Sequence, residues 1–154
     1  MTKDGRHAEI FARIRALADG ETDTIAIMAT TVCELHHGDD RFDWVGFYRN
    51  VGNETLKIGP YQGGHGCLTI PFSRGVCGAC ARTGDVQLVD DVDEFDDHIA
   101  CSATTRSELV LPVHDAKGAL IGVLDIDSDE PEAFDDEDVD ALSGLMRELF
   151  ARAQ

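Results

Sequence analysis

SELVLPVHDAKGALIGVLDIDS, residues 107–128, holds the decision about the fold. Two strand-like runs, SELVLPVH and ALIGVLDIDS, flank the turn-forming DAKG at 115–118. Strands joined by so tight a turn pair antiparallel. The second run ends in acids. Asp125 and Asp127 are two apart, so they share one side of the strand. The hairpin brings Glu108, near the start of the first run, to the neighbourhood of Asp125. These carboxyl groups then converge at one end of the sheet. Acids in place of Ile or Val on an inner face indicate a polar cavity, in which crowding and burial raise carboxyl pKa values. The plainer alternative is that this face is open to water at that end.

Outward from the hairpin, the upstream chain alternates in the same way. FDWVGFYRNVGNETLKIG, residues 42–59, reads as a second hairpin turning at Gly52-Asn53. Trp44 and Tyr48 fall on one face of its first strand, where core packing is the ordinary role of aromatic rings. GPYQGGHG (59–66) follows as a glycine-rich loop, CLTIP (67–71) as a short strand, and FSRGVCGACARTG (72–84) as a short helix with Ser73 as candidate cap and Gly84 as stop. DVQLVDDV is another strand, and a loop leads from it to Cys101.

The ends are helical. Ile10, Phe11, Ile14, Leu17 and Ala18 recur at helical spacing before Gly20. Ile25, Met28, Ala29, Val32 and Leu35 form the stripe of a second helix, capped by Thr22 or Asp23, with Cys33 at its edge as packing. Val139, Leu142, Leu145, Met146 and Leu149 form the inner face of a last helix capped near Asp135. The predicted architecture is α+β: a central antiparallel sheet with the terminal helices packed on one face, residues 1–154 forming one domain.

Composition narrows the function. The chain carries 13 basic and 30 acidic residues, a net charge of −17. Phosphate repulsion argues against nucleic acid and anionic membrane surfaces. Acidic runs at 90–97 and 127–140 read mainly as a solvated face. MTKDGRHAEIF lacks the apolar core of a signal peptide, and no run is long enough for a membrane helix. The expected location is the cytoplasm, where thiols stay reduced unless their chemistry requires otherwise. Five cysteines, an odd number, do not suggest a permanent disulfide framework.

Cys67, Cys77, Cys80 and Cys101 need an account. Cys101 lies in the polar stretch HIACSATTRSELVLP (98–112), although unpaired cysteines are usually buried among apolar neighbours. Cys77-x-x-Cys80 with His98-x-x-Cys101 approaches a two-knuckle zinc spacing. Against zinc, Cys77 and Cys80 fall within a short helix, and Cys67 is left over. A thioredoxin-like redox pair at Cys77 and Cys80 would lack its usual flanking unit.

DWVGFYR (43–49), GPYQG (59–63), CLTIPFSRGVCG (67–78), HIACSATTRSELVLP (98–112) and GVLDIDS (122–128) together resemble the signature blocks of the free methionine-(R)-sulfoxide reductases, a family with the GAF fold. The resemblance implies an oxidoreductase of oxidative-stress defence. In it Cys101 is the catalytic cysteine, Cys67 the recycling cysteine and Cys77 an auxiliary one. Glu108, Asp125 and Asp127 are the carboxylates of the substrate pocket, and Trp44 and Tyr48 its aromatic wall. It further implies a Cys101 sulfenic acid, an intramolecular disulfide with Cys67, thioredoxin as external reductant and no other cofactor or metal. Homodimers occur in the family. Cys80 matches no general family position, and FDD before His98 departs from the family's usual proline and glycine. Arg106 is the nearest cation to Cys101 in sequence. Two rival readings are a GAF domain that senses a small molecule without turnover, and a zinc-binding structural domain using Cys77, Cys80, His98 and Cys101.

Overall fold

Both faces of the sheet are buried in the computed structural model, which describes residues 2–154. The order along the chain is α1 (Lys3–Leu17), α2 (Thr24–Gly38), β1 (Trp44–Asn50), β2 (Thr55–Gln62), β3 (Thr69–Pro71), α3 (Gly75–Thr83), β4 (Gln87–Val89), β5 (Ser107–His114), β6 (Leu120–Ser128) and α4 (Asp136–Phe150). Six strands form one antiparallel sheet in the order β3-β2-β1-β6-β5-β4. The two predicted hairpins therefore meet along β1 and β6 at the centre.

Alternation then sorts each strand between two layers. Val45 and Phe47 of β1, Leu109 and Leu111 of β5, and Leu124 and Ile126 of β6 face α1, α2 and α4 in the larger core. Trp44, Tyr48, Val110 and Val123 point the other way, toward α3. The expected placement of the terminal helices on one face holds. The sheet's second face carries α3 and the loops around it.

The helix ends follow their local chemistry. The Asp23 carboxylate accepts from the Ala26 N–H at 2.8 Å and starts α2. Asp135 and Asp138 form a reciprocal capping box at the start of α4. Gly84 closes α3 at φ +76°, a left-handed position that suits glycine. The buried stripe of α2 is Ile27, Met28, Thr31, Val32 and Leu35, while Ile25 and Ala29 are exposed. The expected stripe was rotated because α2 packs with its Ile27 side inward. Leu17, at the last turn of α1, is also exposed.

Three local expectations are corrected. Gly59–Gln62 belongs to β2 rather than to a loop, because a bulge opposite Gly46 and Tyr48 absorbs the extra residue there. Ser73 does not cap α3; Arg74 occupies the cap position and makes no side-chain cap bond. The direct partner of Glu108 is Asp127, and Asp125 pairs with Val110. A hairpin folded symmetrically about 115–118 would have set Glu108 against Asp125. Instead the Asp115 N–H bonds to the Ala119 carbonyl, and Ile121 is skipped in the pairing. The register moves by two residues, an even number, so the acids keep their face.

Candidate active site

The site lies on the α3 side of the sheet, where β1, β5 and β6 present alternate residues to one cavity. The wall begins at β1 with Trp44, Gly46 and Tyr48 on one face. Gly46 has no side chain because the Trp44 ring lies over it; a Cβ there would also come within 2.8 Å of the Tyr61 Cβ. Trp44 stacks with Tyr48 at 6.0 Å and with Tyr61 at 5.6 Å between ring centroids. Its indole N–H donates to the Gly64 carbonyl at 2.8 Å, which ties the glycine-rich loop to the wall. Tyr48 is buried, and burial with the nearby Asp125 charge pushes its phenol pKa far up. It therefore remains a neutral hydroxyl.

Beside the rings, on the same face of the sheet, stand the acids. Trp44 pairs with Asp127 across β1 and β6, and Asp127 with Glu108 across β6 and β5. Oxygens of Glu108 and Asp125 and the Cys77 sulfur lie within 4.8 Å of one another. Burial first, then the neighbouring Asp127 and Glu108, raise the Asp125 pKa well above the carboxyl range. Asp127 is raised as well, by burial and then by Glu108. These acids cannot all ionise at neutral pH, so at least one proton is kept in the cluster. Asp125 Oδ1 and Asp127 Oδ1 are buried without a hydrogen-bond partner. Orphaned buried oxygens in a cavity wall are what a ligand's N–H groups or a sulfoxide oxygen would satisfy, the latter by accepting from a protonated carboxyl.

Cys67 and Cys101 are joined by a disulfide, with Cα atoms 5.4 Å apart. Cys101 lines the cavity together with Ser102, Thr105, His98 and Ile99 of its loop. Both linked cysteines are partly exposed, which leaves the bond open to an external thiol. Cys77, in the first turn of α3, is buried against the acids. Burial and the charge of Asp125 push its thiol pKa well up, so it stays protonated. Cys80 is fully buried in the α3 layer, its pKa raised to about 12 by burial and then Asp85, and it packs as a small apolar group. Gly75 and Val76 bring the uncapped start of α3 to the same cavity.

Cys67 and Cys101 are thus brought together, as are Trp44, Tyr48, Glu108, Asp125, Asp127 and Cys77 around the cavity. Among the described residues Cys77, Cys80, His98 and Cys101 do not converge as a metal-binding set. Arg106 is exposed and does not line the cavity, so it is no local activator of Cys101. Two participants were not singled out from sequence for the roles they hold. Tyr61 backs the Trp44 ring from a strand whose glycine-rich sequence predicts a loop. His98 faces Glu108, with Nε2 to Oε1 3.6 Å, whereas the sequence pattern points only to a zinc ligand. Its spacing three residues before Cys101 was the available signal.

The sheet, its two layers and the cavity between β1, β6, α3 and the Cys101 loop define a GAF domain whose pocket carries thiols and crowded acids. A GAF domain family model matches residues 18–149. The free methionine-R-sulfoxide reductase of Escherichia coli is 42% identical over 149 residues, 97% of this chain and 89% of that protein. The Saccharomyces cerevisiae enzyme of the same description is 34% identical, covering 96% of this chain and 85% of its own length. The X-ray structure of the Neisseria meningitidis free methionine-R-sulfoxide reductase in complex with its substrate superimposes with a TM-score of 0.91 at 40% identity, covering 99% of this chain and 90% of that one. The chain belongs to the free methionine-R-sulfoxide reductase family of GAF-domain oxidoreductases.

Proposed function

We propose that the protein reduces free L-methionine-(R)-sulfoxide to methionine, with residues 1–154 acting as one catalytic unit. The observation that carries this reading is the Cys67–Cys101 disulfide at a cavity whose wall also holds two orphaned carboxyl oxygens. The substrate ammonium binds the acids. Its carboxylate meets the uncapped N–H groups at the start of α3, where the helix dipole favours an anion. Its methyl group rests on Trp44. A protonated carboxyl of the Glu108–Asp125–Asp127 cluster donates to the sulfoxide oxygen and polarises the S–O bond.

In the reduced enzyme the Cys101 thiolate attacks sulfur while the oxygen takes the carboxyl proton. The oxygen passes to Cys101, methionine leaves, and Cys101 becomes a sulfenic acid. The Cys67 thiol condenses with it, releasing water and forming the disulfide. An external dithiol, thioredoxin in this reading, restores both thiols by exchange. No further cofactor enters this sequence of steps. Cys77, held protonated by burial, is the auxiliary thiol in this reading. The reaction belongs in the cytoplasm, where such a reductant is kept reduced; among the described residues no helix is long and apolar enough to cross a membrane. A homodimer is the assembly expected from the family, and the pocket described above is built from one chain.

Anchoring both the ammonium and the carboxylate leaves no room for peptide bonds. In the S epimer the methyl and oxygen exchange places, so the oxygen meets Trp44 and a buried polar group loses its partner, at about 1–3 kcal/mol. That is roughly a tenfold to hundredfold loss in rate. The test incubates the protein and dithiothreitol with free (R)-sulfoxide, free (S)-sulfoxide and the N-acetylated (R)-sulfoxide, and assays methionine or its N-acetyl derivative. Only the free (R) form should turn over well. Comparable rates on the N-acetylated compound would point to protein repair instead. Tight binding with no product would favour a sensor.

A further inference from the structure

His98 is the feature of the cavity that the proposed chemistry leaves unused. It sits on the loop of Cys101, three residues before the nucleophile, and it lines the same cavity. Its Nε2 lies 3.6 Å from Glu108 Oε1, and both side chains are largely withdrawn from water, at 16% and 8% exposure. Among the cavity-lining side chains the candidate cations are His65 and His98, and His65 is exposed. A pocket with this many acids has one substrate ammonium to offset them, and His98 is the cation already built into its wall.

We propose that His98 is a positioning residue for the reduction: its imidazolium pairs with Glu108, holding that carboxylate in place and the Cys101 loop over the cavity when the disulfide is open. The inference rests on the function proposed above. The pair joins the loop that carries the nucleophile to a strand of the sheet. Glu108 is anchored in β5 between β4 and β6, paired with Val89 and Asp127. The Cys101 loop has no strand partner over 98–101, and its backbone bonds there are short-range, His98 N–H to Phe95 and Cys101 N–H to Ile99. Once Cys67 and Cys101 separate, the disulfide tether is gone and the His98–Glu108 contact remains across the same gap. With Glu108 claimed by His98, the proton donated to the sulfoxide resides on Asp125 or Asp127.

The groups facing the ring are Glu108 on β5 and Asp93 on its own loop, with Asp125, Asp127 and the Cys77 thiol behind Glu108. The Glu108 contact raises the His98 pKa above its ordinary 6.5, overcoming the burial that would lower it. The contact therefore favours the imidazolium, and that support is lost as pH rises through the raised value.

The experiment measures kcat/KM on free (R)-sulfoxide with saturating dithiothreitol from pH 6 to 9.5, for the wild type, His98→Asn and His98→Lys. His98→Asn should lose about tenfold or more at pH 7, a transition-state loss the assay reads directly. His98→Lys, which keeps a cation, should recover most of it. Its alkaline limb should move to higher pH, because lysine titrates near 10.4. A limb unmoved in His98→Lys would assign it to the acids or the thiol and overturn the proposal. So would an Asn variant with wild-type kcat/KM, or one not rescued by Lys. An inactive wild type would refute the proposed function itself, so the two failures are told apart in one series.

Discussion

Asp125→Asn should make the protein more stable while making it a poorer catalyst. The substitution keeps the shape of the side chain and removes its capacity to ionise. Asp125 is buried on β6, one oxygen unpartnered, with Asp127 on the same strand and Glu108 on the next. Burial, then Asp127 and Glu108, raise its folded pKa well above the ordinary value of 3.8. For an acid shifted in that direction, the folded state binds its proton more tightly than the unfolded chain. The associated stability is fully present below about pH 3.8 and is lost as pH rises through the raised folded value. At pH 8 the wild type therefore bears strain that the amide does not. Relief of one such group is worth about 1–2 kcal/mol. At about 2–4 °C per kcal/mol for a chain of this size, the melting temperature should rise by roughly 2–8 °C at pH 8. At pH 5 the gain should shrink, because more of the wild-type acid is already protonated. Calorimetry of the disulfide-linked wild type and variant at both pH values reads this difference. The variant should also lose about tenfold or more in kcat/KM, having lost a proton source aimed at the sulfoxide. Parallel melting curves from pH 5 to pH 8, or a variant less stable at pH 8, would refute the claim that the cavity holds Asp125 against its ionisation.

Cys101→Ser should release no methionine even in a single turnover; stoichiometric methionine from this variant in a quench assay would remove Cys101 from its role. Cys67→Ser should release one methionine per chain and then stall with thioredoxin, with slow residual turnover through Cys77; wild-type turnover with thioredoxin would count against Cys67 as the recycling thiol. Gly46→Ala should push the Trp44 ring off its seat, because the added Cβ overlaps that ring and crowds Tyr61. Overpacking of this kind costs about 1–3 kcal/mol. It should raise KM, and the emission of Trp44, the protein's single tryptophan, should shift; an unchanged spectrum and KM would refute the seat described here.

Local patterning carried most of the architecture. Alternation in 42–59 and 107–128 specified two hairpins, and the periodic stripes specified α1 and α4, because a strand or amphipathic helix buries one face and its sequence must say which. The two-residue spacing of Asp125 and Asp127 placed them on one side whatever their neighbours were. The signature blocks pointed to residues that the fold gathers around one cavity, since family motifs record chemistry that periodicity does not. Pairing between elements was beyond that reach. Register depends on where a hairpin absorbs extra residues, and the Asp115–Ala119 turn together with the skipped Ile121 set Asp127 opposite Glu108. Strand bounds suffered likewise at Gly59–Gln62, where glycine and proline suggest a loop but a bulge keeps the ladder running. The partner of His98 was hidden for the most general reason. Its contact with Glu108 lies ten residues on in sequence and crosses from an irregular loop to a strand, so no local period encodes it. The charge of a histidine, and with it the state of the acids beside it, is decided by what the folded chain sets within a few ångströms.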